Sequence, residues 1–66
     1  MDTVGDFRKF LTDAGWAVSE AHHETSTGSE WTVIGANGPH VLEARAGTQL
    51  DAWMEAVEQA RALGMD

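Results

Sequence analysis

The stretch Thr48–Leu63 constrains the fold of this chain more than any other, because its pattern fits one secondary structure. Leu50, Trp53, Met54, Val57 and Ala60 recur along one side of a helix, and Asp51, Glu55 and Glu58 along another. Thr48 reads as the N-cap, with Asp51 three residues later in a variant capping box. Arg61 falls in the last turn, and Gly64 is placed as the C′ residue. A helix with one apolar side must lie on something, so the rest of the chain has to supply an apolar surface.

Two elements can supply it. Asp2 to Ala14 predicts a first helix: Thr3 and Asp6 repeat the cap pattern, Val4, Phe7, Phe10, Leu11 and Ala14 form an apolar face, and Gly15 follows as the stop. Trp31–Ala36 and His40–Ala46 predict a hairpin about an Asn37-Gly38 turn. That turn pairs Ala36 with Pro39, Ile34 with Val41 and Val33 with Leu42. One face then carries Trp31, Val33, Leu42 and Ala44, and the other Thr32, Ile34, Val41 and Glu43. A further strand is expected from Trp16 to Glu24. Its alternation would point Glu20 inward, so either a bulge intervenes or the far half of the strand is exposed. Thr25-Ser26-Thr27-Gly28-Ser29 reads as a loop, and as the most mobile segment. The expected fold is α+β, a single αβββα domain over residues 1–66, with both helices on one face of a three-stranded antiparallel sheet.

With 66 residues and no cysteine, the core depends on hydrophobic packing or on self-association, and three tryptophans carry much of the available burial. The chain has no apolar run of membrane-spanning length, and its start is acidic rather than signal-like, so a soluble cytoplasmic protein without membrane contact is expected. The net charge is −7. Glu20, Glu24 and Glu30 lie together without a neighbouring Lys or Arg, whereas residues 31–47 balance Glu43 with Arg45. Such a surface repels phosphate backbones, which disfavours nucleic acid as a partner.

Motifs for chemistry are sparse. His22 and His23 are adjacent, so a strand sends them to opposite faces, and no histidine pair has ligand spacing. Neither phosphate-loop pattern occurs. No metal, cofactor or catalytic residue is assigned, and the chain is not expected to be an enzyme. Two surfaces remain as candidate interaction sites. One is the helix stripe Asp51, Glu55 and Glu58, suited to a basic partner. The other is the outer sheet face with Thr32, Ile34, Val41 and Glu43, suited to self-association or to a protein partner.

The αβββα order over nearly the whole chain resembles the double-stranded-RNA-binding-domain fold, and Ala52, Ala56, Ala60 and Leu63 are similar to the rhythm of that family's second helix. That helix opens in the family with phosphate-gripping lysines. Here the stretch is Gly47-Thr48-Gln49-Leu50-Asp51, so the resemblance implies topology alone. Phe10-Leu11, Gly15-Trp16 and His22-His23 are loosely similar to HicA-type RNA-cleaving toxins, which implies His22 or His23 as a base. Glu20-Ala21 stands where that family has Gly-Ser. The leading expectation is a small acidic non-catalytic protein-interaction domain, with a homodimer among its expected states. An acidic inhibitor or nucleic-acid mimic of phage or mobile-element type, and a histidine-dependent RNase, are the alternatives.

Overall fold

The computed structural model describes residues 3–63. The order is α1 (Val4–Asp13), β1 (Ala17–Thr25), β2 (Gly28–Asn37), β3 (His40–Ala46) and α2 (Gln49–Ala62). The strands form one antiparallel sheet in the order β1-β2-β3, and both helices contact it. This is the expected α+β architecture.

The local signals explain most element ends. Thr3 Oγ1 accepts from the Asp6 N–H at 3.2 Å while the Thr3 N–H donates to Asp6 Oδ2 at 3.1 Å, a complete capping box. In α2 Thr48 Oγ1 accepts from the Asp51 N–H, but the reciprocal bond is absent, so Asp51 completes no box there. Gly15 follows α1 at φ 97°, as a C′ residue. The corresponding position after α2, Gly64, lies outside the described residues.

The second hairpin departs from the expected register. Asn37 pairs with His40, Ala36 with Val41, Ile34 with Glu43 and Val33 with Ala44, so the loop is Gly38-Pro39 rather than Asn37-Gly38. The cause is Pro39. In the expected register it would have to donate the N–H that closes the hairpin, and proline has none. Shifting the loop by one residue gives that task to His40. Gly38 at φ 61° followed by proline's fixed negative φ matches the order of a type II′ turn. Each pair sum changes by two, so every side chain keeps its face.

The first hairpin is tighter than its composition suggests. β1 and β2 pair without a bulge from Ala17–Ala36 to Thr25–Gly28, which reduces the predicted loop to Ser26-Thr27. Thr25 Oγ1 donates to the Gly28 carbonyl at 2.9 Å and accepts from the Thr27 N–H at 3.3 Å, closing the turn. With no bulge, Glu20 does point to the helix side, and it remains exposed there.

The core comprises Leu11, Trp16, Val33, Leu42, Ala44, Ala52, Trp53, Ala56, Val57 and Ala60. α2 is rotated relative to expectation. Ala52, Ala56 and Ala60 face the sheet beside Trp53 and Val57, while Leu50 and Met54 are left 44% and 43% exposed. Three small side chains spaced four apart let the helix axis approach the strands, and Trp53 fills the space that remains. Close packing recurs at Gly35, where an added Cβ would lie 3.2 Å from both Leu42 Cγ and Trp16 Cε3.

Candidate functional site

Four surfaces follow from this frame. The first lies on the helix side of the sheet at β1. Alternation places Val18, Glu20, His22 and Glu24 on that side, and pairing sets Glu20 beside Val33 and His22 beside Trp31. Glu20 Oε1 accepts from Gln49 Nε2 at 2.6 Å and from Trp53 Nε1 at 3.0 Å. The indole N–H, then the amide, hold its carboxyl below the ordinary glutamate value, and the charge of Arg8 adds to them. Arg8 lies over the Trp53 ring, 5.8 Å from its centroid. His22 stacks on Trp31 with centroids 4.1 Å apart and planes 14° from parallel. His23 is on the opposite face, paired with Glu30, so the two histidines separate as their adjacency predicts.

This group contains an acid, a histidine and a cation, the residue types used in general acid–base chemistry. Its acid, however, has one oxygen committed to two structural donors. Glu20 fastens the start of α2 to β1. Among the described residues, no group of three His, Asp or Glu side chains is placed to hold a metal.

The second surface is a cleft of about 390 Å³ between α1 and α2, lined by Phe7, Phe10, Met54 and Val57, with Asp6, Glu58 and Arg61 also on its walls. Arg61 covers one end, its guanidinium 5.1 Å from the Phe10 ring centroid. Asp51, Glu55 and Glu58 are all exposed and follow Leu50 and Met54 around the helix. The acidic stripe thus borders an apolar strip. Its predicted residues come together, and Leu50 and Met54, assigned to the core by sequence, belong to this surface instead.

The third is the outer sheet face. Ile34 is 43% and Val41 68% exposed, but the shifted register makes them diagonal neighbours rather than partners. Thr32 contributes little surface, at 7% exposure, because it sits in the middle of the central strand between Ala21 and Arg45. Glu43 is drawn into a 3.4 Å ion pair with Arg45 on its own strand, and both are exposed, so the pair adds little stability.

The fourth comprises the two sheet edges, which are unlike. On β3, Gln59 Nε2 donates to the Glu43 carbonyl at 2.7 Å, and its Oε1 accepts from the Glu43 N–H at 3.3 Å. One side-chain amide thus occupies both main-chain groups at the middle of that edge. Because Glu43 turns its main chain away from β2, Ile34–Glu43 is a non-hydrogen-bonded pair, and the ladder alternation follows from there. Carried across β2 to β1, the same alternation turns the main chains of Val18, Glu20, His22 and Glu24 to the free edge. Among the described residues nothing hydrogen-bonds to them there.

Sequence reasoning missed the Gln59 clamp, the Glu20 anchor and the His22–Trp31 stack. The two-residue period of β1 carried the signal for the last two, since it puts Glu20 and His22 on the side where the tryptophans are. No family model, curated protein or solved structure matches this chain.

Proposed function

We propose that this chain is a non-catalytic protein-interaction domain that holds a basic, amphipathic segment of a partner protein along its helical layer. The observation that carries this reading is the apolar cleft of Phe7, Phe10, Met54 and Val57 beside the acidic stripe Asp51, Glu55 and Glu58. An amphipathic helix laid in such a groove buries its apolar side, and its cations meet the acidic rim. The acidic balance of the whole chain supports a basic partner and opposes a nucleic acid. The αβββα order agrees with a domain like those that bind double-stranded RNA, but the positions at which that family carries lysines read Gly47-Thr48-Gln49-Leu50-Asp51 here.

Calorimetric titration with a synthetic Lys/Leu amphipathic helical peptide tests the proposal, with a Glu/Leu peptide of the same pattern as control. The Lys/Leu peptide should bind, weaken as salt rises, and lose affinity with Met54→Asp. Equal binding of the two peptides, or binding indifferent to Met54→Asp, would overturn it.

The grouping of Arg8, Glu20 and His22 on one face supports a second reading, histidine-dependent RNA cleavage with His22 rather than His23 as the base. Purified protein that leaves a mixed-sequence RNA intact, with His22→Ala indistinguishable from it, would remove that reading.

A further inference from the structure

We propose that two copies of this chain pair through the free edge of β1, antiparallel and centred on Ala21, into one continuous sheet. This interface is separate from the helical cleft and does not depend on it.

The two edges differ in what they can accept. Gln59 occupies the centre of the β3 edge, whereas β1 offers the main-chain groups of Val18, Glu20, His22 and Glu24 over a nine-residue strand without proline, lysine or bulge, three of the devices that keep edges apart. Its charges are Glu20 and Glu24, and they decide the register. Only residues that face the edge can bond across it, so a twofold pairing matches members of this set with one another. Three registers place the axis near the strand's middle. Centring on Glu20 sets Glu20 against its own copy, and centring on His22 sets Glu20 against Glu24. Both oppose like charges, which destabilises a strand pair. Centring on Ala21 sets Glu20 against His22 twice and Val18 against Glu24 twice. It is also the register that aligns the whole strand, Ala17 against Thr25 at each end.

The side chains support the same axis. Glu20 Oε1 is filled by Gln49 and Trp53, which holds the carboxylate in place and leaves Oε2 for an imidazole N–H of the other copy. His22 is itself held against Trp31. At the axis, Ala21 meets Ala21 in a non-hydrogen-bonded pair, where the strands approach most closely and a small side chain fits. The axis runs perpendicular to the sheet, so both helical layers lie on one side. The outer faces with Ile34 and Val41 join on the other.

Sedimentation velocity over a concentration series, with three variants, tests the pairing. His22→Pro removes an edge-facing N–H that bonds to nothing in β2, so the variant should keep its fold and become monomeric. His22→Glu places two carboxylates at each contact and should weaken dimerisation about tenfold or more, without touching the backbone. Ala21→Cys, in a chain with no other cysteine, should form a disulfide dimer under mild oxidation far faster than Ile34→Cys. A wild-type chain that stays monomeric at millimolar concentration overturns the proposal. So does a dimer unaffected by His22→Glu, or equal cross-linking at positions 21 and 34. None of these outcomes alters the peptide titration that tests the helical cleft.

Discussion

Trp16 and Trp53 are both buried, but their indole N–H groups have different fates. The Trp53 N–H is bonded to Glu20, whereas Trp16 Nε1 has no partner among the described residues. A buried unpaired donor costs on the order of 1–3 kcal/mol, and its removal offsets part of any loss in packing. Trp16→Phe should therefore destabilise less than Trp53→Phe, which also takes a donor from Glu20. Trp53→Ala should cost about 3–5 kcal/mol, enough to unfold a domain of this size. Urea melts of the variants give the ranking, and equal midpoints for the two phenylalanine variants would contradict it. The role of Trp53 in the core was legible from its place in the helical pattern. Its bond to Glu20 was not, because a hydrogen bond between residues 33 apart depends on how α2 sits on the sheet.

At the scale of elements, the two helix starts test how far a motif determines its geometry. Thr3-x-x-Asp6 and Thr48-x-x-Asp51 are the same pattern, yet only the first closes reciprocally. Thr3→Ala and Thr48→Ala each remove a cap of the same kind, worth ~0.5–2 kcal/mol. Asp6→Ala removes the acceptor of the Thr3 main-chain N–H and should cost more than Asp51→Ala, which removes no such bond. Thermal melts that order the two aspartate variants the other way would show that the Thr3–Asp6 bond adds nothing. The hairpins show why faces were easier to read than register. Face membership follows the two-residue period and survives any even shift. Register depends on one donor, and the sequence signal at Asn37-Gly38 competed with the missing N–H of Pro39. The rotation of α2 has a similar origin. Large apolar residues dominate a periodicity reading, but the side that packs on the sheet is the one with alanines, which leaves Met54 to line the cleft and Leu50 exposed.

At the scale of the whole molecule, pH acts through the same contacts. Glu20 and Asp6 both have carboxyl groups held below their ordinary values, Glu20 chiefly by the Trp53 indole N–H and Asp6 chiefly by the Thr3 main-chain N–H. A depressed folded-state pKa contributes stability that is present above the unfolded value and lost as pH falls through the folded one. The domain should thus lose stability as pH drops below about 4.5 for Glu20 and about 3.8 for Asp6, the ordinary values from which the two are lowered. Glu20→Gln should be less stable at neutral pH and should show a shallower loss in acid. An acid profile with unchanged slope would mean that Glu20 does not link the sheet to α2.

The Gln59 clamp sets a limit on growth. A sheet with two open edges can add copies without end, because each addition presents a fresh edge to the next arrival. With its β3 edge stoppered, each chain has a single open side, and pairing through β1 exhausts it. A pair formed in the proposed way would then be closed, with the Gln59 amide as the barrier to further growth. Gln59→Ala should remove the stopper: species larger than two chains should appear as concentration rises, with increased thioflavin fluorescence. A Gln59→Ala chain that stops at the same size as the parent would show that something other than this amide caps the sheet.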